Sequence, residues 1–278
     1  MDKLSYHIVR TGDGSSTLYL PSYDEHMHSL SGAYEEALLK HVYPSGIASV
    51  QKAEVRVLDV GFGLGYNILA LIMERSRRNA GGRLEIISFE KDRTLLPALE
   101  CIEFHDERDP VYSSVRRAYR EGSHGDAAVR ITVLFGDARN SIRNGVVSGF
   151  DAVFFDPFSP AKNPELWSVD FFKEIHARMG NAGILTTYSS APQVRMAMVE
   201  AGFIIGRGPS VGGKKEGTLA AKRGIIVPFD DAEMLSLRGS FRSIPYRDPE
   251  LNSSGEIILL RRRDEMRKRG AQHTTPQQ

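Results

Sequence analysis

An apolar run leads directly into three closely spaced glycines at residues 55–67, which read VRVLDVGFGLGYN. Residues 55–60 have the length and apolar content of a buried strand, and 67–75 carry apolar residues at helical spacing. Glycines between a strand and a helix have no Cβ, so the backbone there can approach a ligand closely and adopt positive φ. The spacing is G-x-G-x-G, not the G-x-G-x-x-G of dinucleotide-binding proteins, which favours a nucleoside ligand over a pyrophosphate.

Apolar strands and amphipathic helices alternate along the chain after this turn. The predicted strands are 55–60, 84–89, 129–135, 151–155, 183–188 and 203–205, and the predicted helices are 67–75, 94–104, 110–119, 167–179 and 191–201. Such alternation predicts a doubly wound α/β fold, in which helices cover both faces of a mostly parallel sheet and the crossovers are right-handed. We expect seven strands in this sheet.

Three segments are expected along the 278 residues. Residues 1–50 contain a hairpin pattern at 6–20 and a helical pattern at 31–42, which predict an N-terminal extension packed on the core. Residues 51–250 form the main domain. Residues 251–278 are expected to supply a final strand and a basic C-terminal tail, in which six Lys or Arg and two acidic residues occupy positions 261–269.

Polar residues stand where the predicted parallel strands end, and ligands bind at that edge of such sheets. Glu90 ends the second strand, where a carboxylate can accept hydrogen bonds from both hydroxyls of a ribose. Asp137 ends the third, where it can accept the amino group of an adenine while Ala138 offers its backbone. Either carboxylate could instead cap the following helix. The candidate cofactor residues are Asp59, Gly61, Gly63, Gly65, Asn67, Glu90, Lys91, Asp137, Ala138 and Asp156.

The loop after the fourth strand carries the candidate catalytic residue. Residues 151–167 read DAVFFDPFSPAKNPELW, and the three prolines after Asp156 stiffen the loop. A carboxylate at this position can accept a hydrogen bond from an amine nucleophile and orient the nitrogen lone pair. The alternative is that Asp156 is a helix cap or turn residue. Phe158, Trp167 and Tyr188 could form an aromatic wall that tolerates a cation, or could simply belong to the core.

Composition limits the remaining possibilities. The net charge of +1 leaves any contact with nucleic acid to local basic patches. A single cysteine, Cys101, excludes an internal disulfide and a multi-cysteine zinc site, and we expect it to pack in the core. No apolar run is long enough to span a membrane and the first residues lack a signal core, so a cytoplasmic protein without a membrane partner is expected.

The chain resembles the methyltransferase part of the MnmC family of tRNA wobble-uridine enzymes, and more closely the stand-alone members of that family. The resemblance is carried by residues 59–67, by 155–167 with PAKNP at 160–164, and by TYSSA at 187–191. Residues 13–33 and GKKEGT at 213–218 are also similar. Together these motifs cover most of residues 11–248.

The resemblance implies a Rossmann-like class I methyltransferase that uses S-adenosylmethionine and no metal. It implies methylation of the 5-aminomethyl group of a wobble uridine, often 2-thiolated, with tRNA and the enzymes that install the aminomethyl precursor as partners. Fused members also have a flavin oxidase domain; the sequence ends at Gln278, so we expect neither flavin nor oxidase activity. Pro157 replaces the small residue typical of the fused members.

We expect Asp156 to be the catalytic residue, because an amine substrate of this kind agrees with a carboxylate placed to orient an amine nucleophile. The expected substrate-binding residues are Pro157, Phe158, Lys162, Asn163, Trp167, Tyr188, Lys214 and Lys215. Basic density adds Arg207 and residues 261–269 as candidate phosphate contacts.

Two other functions remain open. An aminopropyltransferase of the polyamine-synthase type would share the sheet and the acidic strand ends, but it needs a strongly acidic pocket, which Lys162, Lys214 and Lys215 disfavour. A non-catalytic tRNA-binding module would not need the intact glycines or the three strand-end carboxylates.

Overall fold

A twisted β-sheet forms the centre of the computed structural model, which describes residues 6–21, 24–144, 147–211 and 216–273, without the side chains of 270–273. Its strands are β4 (Glu54–Val60), β5 (Arg83–Glu90), β6 (Ser123–Gly125), β7 (Val129–Phe135), β8 (Phe150–Phe155), β9 (Met179–Thr187), β10 (Ile204–Arg207) and β11 (Thr218–Ala221). A separate small sheet contains β1 (His7–Arg10), β2 (Ser16–Leu20) and β3 (Glu25–His26).

The strand order in the main sheet is β10-β11-β9-β8-β4-β5-β7-β6. The five strands from β9 to β7 pair in parallel, whereas β10–β11, β11–β9 and β6–β7 pair antiparallel. The predicted mostly parallel α/β fold with an N-terminal extension is therefore confirmed. The ends of β4, β5, β7 and β8 meet at one edge, because these strands are parallel neighbours.

Helices precede the strands of the main sheet, connect them and follow the last of them. They are α1 (Ala33–Ala37), α2 (Tyr43–Ser45), α3 (Tyr66–Arg77), α4 (Leu96–Glu100), α5 (Arg108–Glu121), α6 (Ala138–Asn144), α7 (Val169–Arg178), α8 (Pro192–Glu200), α9 (Asp231–Gly239) and α10 (Gly255–His273). A π-helical turn, Leu38–Val42, joins α1 to α2, and 3-10 turns occupy Ile47–Ser49, Arg93–Leu95 and Phe241–Ser243.

The number of strands differs from the seven expected. Within the described residues the main sheet has eight, namely the six strands predicted between residues 55 and 205 and the short strands β6 and β11, which were not predicted. The prediction of a final strand within 251–278 is wrong, because Gly255–His273 forms a helix. Four consecutive apolar residues at 257–260 resemble a strand, but the Arg, Glu, Met and Lys residues that follow are strong helix formers.

Two apolar clusters cover the two faces of the sheet. Successive residues of a strand point to opposite faces, so Val57 lies in one cluster and Leu58 in the other. Each fully buried apolar side chain contributes about 1.5–3 kcal/mol to the free energy of folding. These clusters hold the strand ends, and therefore the loops that follow them, in fixed positions.

The N-terminal extension packs on one of these clusters. Leu18, Ala33 and Val42 belong to the same cluster as Val57, and the Tyr66 hydroxyl donates to the Ser16 carbonyl oxygen at 2.7 Å. The extension is thus anchored beside the glycine turn that precedes α3.

Cys101 is exposed, because α4 ends at Glu100 before the chain turns inward again. The expected core position of this residue is wrong. In the part of the chain that the structure describes, no helix has the length and apolar character needed to cross a membrane.

Candidate active site

A cavity of about 590 Å³ opens where β4, β5, β7 and β8 end. Small-molecule sites commonly occupy roughly 300–1,000 Å³. The predicted site residues that line it are Gly61, Gly63, Glu90, Lys91, Asp137, Ala138, Asp156, Pro157, Phe158, Lys162, Asn163 and Tyr188. Asp59, Gly65, Asn67 and Trp167 lie behind this lining, and Lys214 and Lys215 fall outside the described residues.

The glycine turn allows two loops to approach closely. Gly61 has φ +101°, and a Cβ on it would lie 2.8 Å from the carbonyl oxygen of Asp156. Gly65 precedes the first residue of α3 with φ +75°, and a Cβ there would lie 2.5 Å from Val115. Both contacts are too short for any other residue. The turn after β4 therefore rests directly against the loop that carries Asp156.

Glu90 is held by two backbone amides at the end of β5. The Gly63 N–H donates to its Oε2 at 2.9 Å and the Asp92 N–H donates to its Oε1 at 2.8 Å. Burial raises the pKa of Glu90 to about 7, against the effect of these hydrogen bonds. Each carboxylate oxygen can accept a further hydrogen bond, so the predicted contact with two neighbouring hydroxyls is sterically and chemically possible.

Asp92 was not predicted as a site residue, although it also lines the cavity. Its Oδ1 accepts hydrogen bonds from the Thr94 backbone and hydroxyl, both at 2.7 Å. Its Oδ2 is buried and receives no hydrogen bond from the described residues. An unpaired buried oxygen costs free energy, and a ligand with a hydroxyl or amino donor would remove that cost. This orphaned acceptor beside Glu90 fits a ribose or similar polyol.

Asp137 is fixed by Arg139, two residues later. The Arg139 guanidinium binds both carboxylate oxygens, and its Nη1 also donates to the buried Asp248 at 2.7 Å. Burial would raise the pKa of Asp137, but Arg139 outweighs it and lowers the pKa. The Asp137 side chain also accepts the Arg139 N–H at 2.9 Å, so the capping role that we considered holds. A carboxylate that is 36% exposed still faces the cavity as an acceptor.

A buried polar network lies beneath the cavity. The Asn67 amide nitrogen is 3.3 Å from Asp59 Oδ1 and 3.3 Å from Asp156 Oδ2, and the Ser88 hydroxyl donates to Asp59 at 2.5 Å. Burial raises the pKa of Asp59 to about 7. Asp59 and Asn67 therefore support Asp156 from below; they do not form the cavity wall.

His41 stands next to Asp156 and was not predicted from the sequence. Its Nδ1 is 2.8 Å from Thr186 Oγ1, and its Nε2 is 3.7 Å from Asp156 Oδ2, which is beyond hydrogen-bond distance. Burial would raise the pKa of Asp156, but His41, followed by His28 and Lys40, outweighs burial and lowers it. Asp156 does not cap the next helix, since Ser168 caps α7.

The N-terminal extension closes one side of the cavity, which local sequence patterns did not indicate. Lys40 is only 4% exposed, pairs with Glu36, and its Nζ lies 5.7 Å from the centre of the Tyr188 ring. The Ser159 hydroxyl donates to Glu25 at 2.6 Å, joining the extension to the loop after β8. Met27 also lines the cavity.

Only part of the predicted aromatic wall reaches the cavity. Trp167 is fully buried, donates from Nε1 to the Phe158 carbonyl oxygen at 2.8 Å, and packs edge-on against Phe155 at 4.9 Å. A large indole with a satisfied N–H is most stable in the core, and Trp167 accordingly lies behind the residues that line the cavity. Phe158 and Tyr188 do line the cavity, and the Tyr188 hydroxyl donates to the Pro157 carbonyl oxygen at 2.9 Å.

The predicted basic contacts differ in their availability. Lys162 is exposed at the cavity. Arg207 pairs with Glu216 and Glu233, so its charge is already balanced. Among the residues with described positions, no group of three or more His, Cys, Asp or Glu side chains could hold a metal ion.

Comparison with known proteins agrees with this geometry. A family model described as S-adenosyl-L-methionine-dependent methyltransferase matches residues 103–223. The parallel sheet, the glycine turn and this match together define a Rossmann-like methyltransferase that depends on S-adenosylmethionine.

Two relatives define the family more narrowly. The crystal structure of MNMC2 from Aquifex aeolicus superposes with a TM-score of 0.83 and 34% identity, over 96% of this chain and 87% of that one. The uncharacterized protein MJ0670 from Methanocaldococcus jannaschii is 31% identical over 96% of this chain and 74% of its own length. The chain belongs to the MnmC-like methyltransferase family.

The curated proteins that carry the MnmC name are longer. The tRNA 5-methylaminomethyl-2-thiouridine biosynthesis bifunctional protein MnmC from Cupriavidus metallidurans is 31% identical over 76% of this chain but only 33% of its own length. The chain therefore spans about a third of that protein.

Proposed function

We propose that this protein methylates the amine of a 5-aminomethyl group on a wobble uridine, 2-thiolated or not, in tRNA. The observation that carries the proposal is the position of Asp156. Asp156 lines the cavity, its backbone carbonyl lies against Gly61 of the glycine turn, and the lowered pKa of its carboxyl group keeps it ionised. The reaction requires neither a flavin nor a metal ion, and we expect it to take place in the cytoplasm, on tRNA.

The residues on the β5 and β7 side fit the donor. Glu90 and Asp92 would accept the ribose hydroxyls, Asp137 and Ala138 would meet the adenine, and the backbone at Gly61 and Gly63 would allow close approach. When bound, S-adenosylmethionine supplies an electrophilic methyl group. The orphaned oxygen of Asp92 supports this assignment, because it marks a place where the protein alone leaves an acceptor unpaired.

Asp156 would act on the amine. A primary amine resembling lysine has a pKa near 10, and only its neutral form has a free lone pair. An ionised carboxylate raises the pKa of a neighbouring amine, so Asp156 cannot serve by deprotonating it in advance. Its role is to accept an N–H hydrogen bond and aim the lone pair. The methylated ammonium gives its surplus proton to water, because a carboxylate of lowered pKa is a far weaker base than an amine.

His41 is proposed as a positioning residue for Asp156. It is 1% exposed, is oriented by Thr186, and lowers the pKa of the Asp156 carboxyl group, which burial alone would raise. Without it, Asp156 would be protonated over a wider pH range and would lose the charge that strengthens its hydrogen bond with the amine.

The tRNA part of the proposal depends on the relatives' names and on local charge. The bifunctional relatives are named for biosynthesis of 5-methylaminomethyl-2-thiouridine in tRNA. Lys162 is exposed and lines the cavity, where it could contact a phosphate next to the wobble nucleotide. Phe158 and Tyr188 could contact the base itself. The enzymes that install the aminomethyl group remain proposed partners.

One observation favours the aminopropyltransferase alternative. Among the described residues, carboxylates outnumber Lys and Arg around the cavity: the acids are Glu25, Glu36, Glu90, Asp92, Asp137, Asp156 and Glu165, and the bases are Lys40, Lys91, Arg139 and Lys162. An acidic cavity suits a diamine. However, several acids are already engaged: Glu36 pairs with Lys40 and Asp137 with Arg139.

A labelling experiment with different acceptors distinguishes methyl transfer to tRNA from aminopropyl transfer to a diamine. The protein is incubated with methyl-labelled S-adenosylmethionine and either tRNA that carries 5-aminomethyluridine, the same tRNA without that group, or a diamine. We expect label only in the first tRNA. Label in both tRNAs would overturn the assignment of the amine acceptor. In a parallel reaction with decarboxylated S-adenosylmethionine, whose side chain is an aminopropyl group, a diamine that gains that group would establish the alternative.

A further inference from the structure

A second cavity, of about 340 Å³, lies between the end of α8, the 3-10 turn Phe241–Ser243 and the second half of α10. Its lining includes four cationic side chains, Arg238, Arg247, Lys268 and Arg269, and two carboxylates, Glu200 and Glu265. No part of the proposed methyl transfer uses it.

The two carboxylates are already paired. Arg247 Nη1 lies 2.8 Å from Glu200 Oε2, and Arg247 Nε lies 3.2 Å from Glu265 Oε2. Arg238, Lys268 and Arg269 form no ion pair with any residue whose placement is described. The four cations of the lining outnumber its two carboxylates by two, and the three cations that do not pair with these carboxylates lie on two different helices, α9 and α10.

A buried hydroxyl also lines this cavity. Ser243 is 1% exposed, and its Oγ has no hydrogen-bond partner among the described side chains and backbone. A hydroxyl can donate to an anionic oxygen, and leaving it unpaired in the interior is unfavourable. The cations and the orphaned donor require the same kind of ligand, a compact anion with several acceptor oxygens.

The cavity is connected to the active site by α10. The first residue of this helix, Gly255, lies beside Glu165: a Cβ added to Gly255 would be 3.0 Å from Glu165 Oε1. Glu165 in turn lines the first cavity. From residue 255 to 268 the helix rises about 20 Å at 1.5 Å per residue. That is less than the roughly 34 Å of one turn of a nucleic-acid duplex, so one stem could reach both cavities.

We propose that this second cavity binds a backbone phosphate of the RNA whose wobble nucleotide occupies the active site. Arg238, Lys268 and Arg269 supply the charge, and the Ser243 hydroxyl donates to a phosphate oxygen. The contact fixes the stem on the protein and carries no base specificity. This inference rests on the proposed tRNA substrate.

The test measures the salt dependence of tRNA binding, with matched charge changes. The test variant is Lys268→Gln/Arg269→Gln. The control is Arg83→Gln/Arg130→Gln, two exposed arginines on β5 and β7 that form no ion pair with the described residues. Each lost phosphate contact should flatten the slope of log K against log salt by about 0.9 and weaken binding about fivefold near 0.15 M salt.

We expect this loss in the test variant and an unchanged slope in the control. Ser243→Ala, which removes one donor and no charge, should weaken binding by a smaller factor at every salt concentration. Equal losses in test and control would show only a net-charge effect and overturn the proposal. Binding of inorganic phosphate at the cavity, with tRNA binding unaffected by the test variant, would assign the cavity to a small phosphate and also overturn it.

Failure of the wider function would look different. If the wild-type protein neither binds nor methylates tRNA, the proposed substrate is wrong. If the wild type does both and the test variant does so equally well, only the phosphate site is wrong.

Discussion

Replacing Asp156 by Asn separates orientation of the amine from every structural role of this residue. The amide keeps the size and one acceptor oxygen, so the contact from Asn67, 3.3 Å away, can be retained. It loses the negative charge that strengthens the hydrogen bond with the amine. Positioned acid–base groups contribute about 10²–10⁴-fold in rate, which corresponds to about 3–5 kcal/mol of transition-state stabilisation.

The assay has three parts, all near pH 8. Single-turnover methyl transfer to aminomethyl tRNA should slow by the factor above. Calorimetry with S-adenosylhomocysteine should show affinity within about threefold of wild type, because Glu90, Asp92 and Asp137 are unchanged. The thermal midpoint should move by only a few degrees, since about 1 kcal/mol shifts it by roughly 2–4 °C in a domain of this size.

The choice of pH follows from the lowered pKa of Asp156. Stability and acceptor capacity that come from its ionised form are present above the ordinary carboxyl pKa and are lost as the pH falls through the lowered value. Near pH 8 the wild-type residue is fully charged, so the comparison with the amide is complete. A single-turnover rate within a few-fold of wild type would refute the proposed role of Asp156.

Three further experiments test other parts of the site. Burial raises the pKa of Glu90 to about 7. As the pH is increased towards 7, the affinity of the wild type for S-adenosylhomocysteine should therefore rise by up to about tenfold per pH unit, and above pH 7 it should level off. Glu90→Gln should bind weakly at all pH values, and a wild-type affinity that does not change with pH would contradict this role of Glu90. His41→Phe should move the acid limb of the pH–rate profile to higher pH without changing cofactor affinity, and an unmoved limb would leave His41 structural. Gly61→Ala should lower both the thermal midpoint and the cofactor affinity, because the new Cβ would lie 2.8 Å from the Asp156 carbonyl oxygen. The control, Gly46→Ala, is also at positive φ but has no atom within 4 Å of its Cβ, so it should lower the free energy of unfolding by only about 1–2 kcal/mol and leave cofactor binding unchanged. Equal effects of the two substitutions would contradict the close contact at Gly61.

The central strands and the glycine turn could be predicted because their signals are local. The apolar runs end at a glycine or at an acidic residue, namely Gly61, Glu90, Gly136 and Asp156, and β4, β5, β7 and β8 end at or next to those residues. Parallel neighbours then bring these ends together without any further information. The strand β11 has only four residues, Thr218–Ala221, too few for a clear period.

The contacts beside Asp156 could not be predicted in the same way. His41 and Lys40 reach the site from a helical turn more than a hundred residues earlier in the chain, and only tertiary packing brings them there. Arg139 lies two residues after Asp137, but the sequence around it does not distinguish a buried guanidinium that binds two carboxylates from an exposed surface arginine. Trp167 shows the opposite error, because an aromatic residue near a site was assigned to the ligand although its indole is buried against Phe155.

The position of the new methyl group tests the central claim most directly. The purified protein is given S-adenosylmethionine and tRNA that carries 5-aminomethyluridine, and the wobble nucleoside is isolated and fragmented in a mass spectrometer. The proposed role of Asp156 predicts one added methyl group on the side-chain nitrogen, with the uracil ring and the ribose unchanged. A methyl group on the ring, on the ribose or on another nucleoside would contradict the proposal that this cavity holds an amine beside Asp156.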